Sequence, residues 1–388
     1  MSRHLDERRA GEEHAWRDPA EIVAEWSDGG EADAGLLAVK ARGEWWDILA
    51  SAGVTLMVSR EYEHLVLAIS SGPGPRVSYL RIPHPSGIAF DPVRNRLNIA
   101  STRNPTRIIE FGRVSRLLPR GDVTRRSVSA AGVLVPTRSW YLPGCLYLHD
   151  MVMIAGRLHG NAVGQNVVVD LAEGGSKMVW WPRSVERDGL PRVDRNYLQL
   201  NSIAAGRDLA TSFFTASTER PGRYRPGHRN YPVDRRGVIY SGATREPLVR
   251  GLTRPHSARL HEDRVWVDDS GYGELGFAAG ERFEPVARLP GWTRGLAFAG
   301  DFAFVGTSRM LPKFAHYAPG LDVDRCLCAI HAVDTRTGVV RGSLEFPYGN
   351  QIFAIEAVPA AWSTGFPFRS GVRPQAARGL FYAYSTDE

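Results

Sequence analysis

Arg294-Gly295-Leu296-Ala297-Phe298, then Ala299-Gly300-Asp301, then Phe302-Ala303-Phe304-Val305-Gly306-Thr307-Ser308 read as a strand, a tight turn and a second strand. Apolar side chains alternate with small ones, and aromatic and β-branched residues favour extended backbone. Glycine and aspartate supply the turn. The stretch decides the fold because it recurs. Ser86-Gly87-Ile88-Ala89-Phe90 precedes Leu97-Asn98-Ile99-Ala100-Ser101, and His256-Ser257-Ala258-Arg259-Leu260 precedes Arg264-Val265-Trp266-Val267-Asp268-Asp269-Ser270. Asn201-Ser202-Ile203-Ala204 opens the same way; His149-Asp150-Met151-Val152 fits more loosely, and Gln351-Ile352-Phe353-Ala354-Ile355 more loosely still.

The anchors Ser86, His149, Asn201, His256, Arg294 and Gln351 are 63, 52, 55, 38 and 57 residues apart. A four-stranded propeller blade needs about 40–50 residues, and loop insertions lengthen it. The expected fold is therefore all-β: a six-bladed β-propeller, with seven blades as the alternative. Residues 41–362 form the propeller. Residues 1–40 form an amino-terminal extension, helical around Pro19 to Trp26 with Asp18 as its cap, and convincing amphipathic helices are scarce beyond it. Residues 363–388 are a carboxy-terminal tail, a candidate for closing the last blade. Glu219 to Arg236 carries six arginines with proline and glycine, and reads as a long surface loop.

Composition bounds the function. With 388 residues, 43% hydrophobic and 23% charged, the chain is globular and too apolar for disorder. No run of 18 apolar residues occurs, so no helical membrane span is expected. The charged amino terminus lacks an apolar signal region, and a cytoplasmic protein is expected. The net charge is +6, and all basic residues except Lys40, Lys177 and Lys313 are arginine. These arginines are scattered rather than gathered on one stripe, so no DNA partner is expected. Cys145, Cys326 and Cys328 are too few for a disulfide framework, and Cys326-Leu327-Cys328 lacks zinc-site spacing. No dinucleotide fingerprint or phosphate-binding glycine loop is present, so no nucleotide cofactor is expected.

Five phrases resemble a bacterial family defined by a domain of unknown function and assigned a propeller-like fold. They are Tyr141-Leu142-Pro143-Gly144 with Leu148-His149-Asp150; Leu200-Asn201-Ser202-Ile203-Ala204; Pro255-His256-Ser257-Ala258-Arg259; Trp266-Val267-Asp268-Asp269-Ser270-Gly271-Tyr272; and Leu289-Pro290-Gly291-Trp292-Thr293-Arg294-Gly295-Leu296-Ala297-Phe298. The resemblance spans roughly residues 40 to 360 and is most specific in the second half. Tyr197-Leu198-Gln199 stands ahead of Asn201, where the family pattern places a histidine nearer the asparagine. The resemblance implies a fold and carries no reaction with it.

Equivalent positions in successive blades converge at the channel of a closed ring. The repeat register therefore predicts that His149, Asn201, His256 and Arg294 share one polar cavity. His149, His256 and Arg294 are the candidate catalytic residues; Arg294, Ser86 and His84 are the candidate substrate-binding residues. His149, His256 and Asn201 are the candidate ligands of a divalent transition metal such as Fe, Zn, Cu or Ni, because imidazole suits these ions. The same histidines suit metal-free acid–base work, because imidazole titrates near neutral pH. The expectation is an enzyme acting on a small or peptide-like carboxylate substrate, by lyase, isomerase, hydrolase or oxygenase chemistry. The alternative is a non-catalytic module that binds an anionic peptide, a carrier protein or a sugar.

Overall fold

A computed structural model describes residues 30–72, 76–103, 105–118, 132–171, 175–372 and 384–386. Six antiparallel sheets stand around a central channel. Named from the innermost strand outward, blade 1 comprises Ala354–Pro359, Val54–Arg60, Leu65–Ser70 and Arg76–Arg81. Blade 2 comprises Pro85–Asp91, Arg96–Ser101, Thr106–Leu117 and Leu134–Leu142. Blade 3 runs through Leu148–Ile154, Arg157–Ala162, Val167–Asp170 and Lys177–Trp180, and blade 4 through Leu200–Ala204, Phe213–Ala216, Gly237–Ser241 and Pro247–Leu252. Blade 5 comprises Pro255–His261, Arg264–Asp269, Glu274–Ala279 and Arg282–Arg288. Blade 6 comprises Trp292–Ala299, Phe302–Ser308, Ala329–Asp334 and Val340–Glu345. Each innermost strand packs against the innermost strands of both neighbours. The fold is a six-bladed β-propeller, and no seventh blade occurs among the described residues.

Both ends of the chain close the ring. Ala354–Pro359 crosses back to pair with Val54–Arg60 and supplies the inner strand of blade 1. Lys40–Gly43 pairs with Val340–Glu345 at the outer edge of blade 6. The tail does not close the last blade: Phe368–Arg369 adds to the edge of blade 1 and Tyr384–Thr386 to blade 2. Closure removes the unpaired inner edges that would otherwise template aggregation.

Two short helices occur among the described residues, Ala34–Leu37 and Trp45–Ser51. Asp33 caps the first through Oδ1, which accepts from the Gly35 amide at 2.8 Å. In the second, Trp45, Ile48 and Leu49 recur at helical spacing and are buried, which binds the helix to the large apolar cluster beneath blades 1 and 6. This helix was not expected beyond residue 40. The helix expected around Pro19 lies outside the described residues.

The wall of the channel is shaped by a recurring irregularity. The pairing of first and second strands shifts register between Pro85 and Ile88, Leu200 and Ser202, His256 and Arg259, and Thr293 and Leu296. A β-bulge re-aims the side chain beside it, here at the anchors of blades 2, 4, 5 and 6. The close fit needs glycine in places. A Cβ on Gly87 would lie 2.7 Å from the Met151 amide nitrogen, and Gly295 combines a φ of 88° with Ile355 Cγ1 at 2.9 Å from such a Cβ.

Candidate functional site

Four blades enter their inner strands through the same backbone turn. His84, Tyr147, Gln199 and Arg254, each two residues before an anchor, have φ of 48°, 50°, 52° and 56°. The left-handed turn fixes the height at which the following anchor meets the channel. His149 and His256 thereby line one cavity of about 370 Å³, together with Arg294, Glu61, Gln199, Arg254, Trp292 and Phe353. Gln351, the loosest anchor, also lines it but precedes its strand, and the Phe353 ring lies under the site.

His256 is 3% exposed, and its Nδ1 lies 2.8 Å from the Arg254 carbonyl and 3.0 Å from the Ser270 hydroxyl. A carbonyl only accepts, so Nδ1 carries the proton and Nε2 carries the lone pair. Burial, then the Arg294 charge and the neighbouring His149, push its pKa well below the ordinary value. Desolvation disfavours the cationic form, and a nearby cation disfavours it further. The Trp292 ring packs edge-on at 5.6 Å.

His149 sits beside Phe353 with ring centroids 5.5 Å apart, and burial and Arg294 likewise depress its pKa. Asp150 does not serve it. That carboxylate points to the other face and holds Arg259 in a bidentate pair, 2.7 and 3.1 Å, while accepting from the Ile203 amide at 3.0 Å. The pair ties blades 3, 4 and 5 beneath the site.

Asn201 stands behind the cavity rather than in its lining. Its Nδ2 donates to the Pro255 carbonyl at 2.9 Å and to the Ser217 hydroxyl at 3.1 Å, tying blade 4 to blade 5. His149 Nδ1 and Asn201 Oδ1 are near enough for the amide to raise the imidazole's proton affinity, without a well-aligned hydrogen bond between them. Ser86 and His84 do not line the cavity. Ser86 is fully buried, with its carbonyl accepting from Ser59 Oγ at 2.6 Å. His84 stacks edge-on with His64 at 4.4 Å, its Nδ1 3.9 Å from Glu61 Oε1, so Glu61 stands between it and the cavity.

Arg294 lies with Cζ 3.3 Å from the Phe353 ring centroid and makes no ion pair among the described residues. Burial pushes its pKa down to about 10. Arg254, 1% exposed, donates to Gln199 Oε1 and to the Pro226 carbonyl, and its Cζ sits 4.0 Å from the Tyr317 ring centroid. The roof is two insertions on the same rim. One is Glu219 to Arg236; the other, between Phe302–Ser308 and Ala329–Asp334, carries the 3₁₀ turn Pro312–Tyr317. They meet where Tyr317 Oη donates to the Gly227 carbonyl at 3.2 Å. Cys326 and Cys328 belong to the second insertion, outside any strand, and are packed away from the cavity.

Sequence reasoning missed Arg254, Gln199, Glu61 and the Tyr317 roof. Arg254 and Gln199 had a readable signal, because they occupy one register two residues before an anchor. Glu61 and Tyr317 had none, since a turn and an insertion bring them in.

The expected metal ligands were His149, His256 and Asn201. Among the described residues, no three His, Cys, Asp or Glu side chains come together in a way that could hold an ion. A guanidinium in the same cavity opposes a second cation. Of the three expected ligands, His149 and His256 line the cavity and Asn201 does not.

The sequence profile of the domain of unknown function DUF4915 matches residues 43–364, nearly the whole propeller. The chain belongs to that family. No curated protein matches it. Among solved structures, the DUF4915 chain is similar to a chain of the nidogen/laminin complex at 10% identity and a TM-score of 0.51, covering 79% of this chain and 98% of that one. It is also similar to a gluconolactonase from Xanthomonas campestris, with 13% identity, a TM-score of 0.44, and 76% and 86% coverage of the two chains. A putative 6-phosphogluconolactonase from Bacteroides uniformis gives 10%, 0.45, and 79% and 99%. At these identities the likeness is one of fold. No helix among the described residues is long and apolar enough to cross a membrane.

Proposed function

We propose that this DUF4915 protein is an enzyme that moves a proton on a small carboxylate-bearing substrate held in the channel cavity, as a lyase or isomerase. The observation that carries the reading is His256: a neutral imidazole whose tautomer is fixed by the Arg254 carbonyl, in a cavity lined by Arg294. His256 Nε2 accepts the proton from the carbon beside the carboxylate. Arg294 holds that carboxylate and stabilises the negative charge that grows on it. His149 is the second proton-transfer group across the cavity.

The same geometry explains how a depressed imidazole becomes an effective base. Arg294 lowers the proton affinity of both histidines while the cavity is empty of anions. A carboxylate on Arg294 offsets that charge, so substrate binding brings His256 toward the working pH.

The test needs no product. Incubated in D₂O with a panel of small carboxylic acids, the protein should catalyse deuterium incorporation beside the carboxylate of one of them, read by NMR. His256→Gln should abolish the exchange. Binding of an acid without any exchange would leave the non-catalytic binding module as the function.

A further inference from the structure

Two guanidiniums meet in one cavity, Arg254 buried and Arg294 partly exposed, and neither is ion-paired among the described residues. Arg254 has its Nε sealed from solvent and unpartnered among the described residues, and the groups beside it are the neutral phenols of Tyr317 and Tyr231. Its other nitrogens meet a neutral amide and a neutral carbonyl. Around Arg294 the nearest carboxylates are Glu61 and Asp150, which support its charge from a distance without forming an ion pair with it. Glu61 Oε1 accepts from Thr102 Oγ1 at 2.5 Å, and Asp150 is paired with Arg259.

Burying a charge without a counter-charge is costly, and structures retain it where something compensates. Here the backbone is strained as well. Arg254 and the Gln199 that holds it both adopt left-handed φ, 56° and 52°, a conformation that bulky residues keep only when their surroundings enforce it. The roof is built onto Arg254, since Pro226 and Tyr317 from the two insertions both contact its guanidinium. Burial lowers the pKa of each arginine only to about 10, so both stay charged at neutral pH. Three further arginines, Arg103, Arg225 and Arg309, stand at the lining against the single acid Glu61.

We infer that the cavity is built for a ligand carrying two negative charges, one met by Arg294 on Phe353 and the other by Arg254 under the roof. This deepens the proposed function, which needs only one carboxylate. The shared chemistry is that of a dianion, either a phosphate monoester or a dicarboxylate.

The experiment is a binding titration of the full chain with inorganic phosphate, malonate and acetate at pH 7.5 and fixed ionic strength, read by calorimetry and by the rise in Tm. Phosphate or malonate should bind at least about ten-fold more tightly than acetate, the increment of one extra charge-assisted contact. Preference for phosphate names the monoester class, and preference for malonate the dicarboxylate class. Arg254→Gln should reduce the preference to near unity. Arg254→Lys keeps the charge and should keep most of it. If Arg254→Gln does not fold, the wild-type comparison still decides. Equal affinity for acetate and both dianions overturns the inference, as does an Arg254→Gln protein that keeps the preference. Turnover is not measured, so a dianion preference with no deuterium exchange would reject the catalytic reading alone. His256→Gln should lose exchange and retain the preference.

Discussion

His256 joins two roles that its place in the repeat could not separate. Its Nδ1–H satisfies the Arg254 carbonyl, and its Nε2 is the atom the proposed reaction uses. His256→Ala is therefore expected to cost about 1–3 kcal/mol of stability as well as activity, because a buried acceptor loses its donor. Denaturant unfolding beside the exchange assay measures both losses. The pH dependence is more specific. The free protein keeps His256 neutral well below the usual imidazole pKa, so the acid limb of kcat/KM should lie below pH 6.5. A bound carboxylate offsets Arg294, so the acid limb of kcat should lie at higher pH than that of kcat/KM. Coincident limbs would show that Arg294 does not govern the imidazole.

At the scale of the strand, the bulge positions the anchors of blades 2, 4, 5 and 6. Gly295→Ala places a methyl group against Ile355 at a left-handed φ of 88°, and is expected to destabilise the chain by about 1–3 kcal/mol and to displace Arg294 from Phe353. A variant with wild-type stability would show that the bulge is not constrained. Blade 6 holds a second element-level test. His331 sits between Thr307 and Ser343, 3.0 and 2.8 Å from their hydroxyls, and burial lowers its pKa to about 4. Its folded pKa lies below the unfolded value near 6.5. The unfolded chain therefore takes up the proton first, and stability is lost as pH falls from about 6.5 toward 4. The loss attributable to this residue approaches about 3 kcal/mol. His331→Gln should lose correspondingly less stability than wild type between pH 7 and pH 4, measured by denaturant unfolding at each pH.

For the whole molecule, the two closures are unequal. Ending the chain before Ala354 removes the inner strand of blade 1 and exposes the pairing edge of Val54–Arg60 along the channel. That truncation is expected to abolish cooperative unfolding. Substituting Lys40→Pro affects only an outer edge strand with every side chain exposed, and should shift Tm by a few degrees at most. Calorimetry of the two proteins compares them directly.

The repeat of polar, small and apolar residues pointed to a propeller of six blades, with seven as the alternative, and placed His149, His256 and Arg294 at equivalent ends of inner strands. A strand's period and a turn's chemistry are local properties, written in neighbouring residues. Which histidine nitrogen is free, which carboxylate is already paired and which arginine is left without one were decided only by tertiary structure. Asp150 follows His149 in the chain yet serves Arg259, because alternation along a strand turns adjacent side chains to opposite faces. Ser86 shared the register of His149 but is covered, and Arg254 outside that register reaches the cavity because a left-handed turn aims it there. Glu61 and Tyr317 come from a turn and an insertion that no repeat encodes. Burial and unpaired charge belong to the assembled ring, so the sequence brought three polar side chains to one cavity and the structure determined its charge.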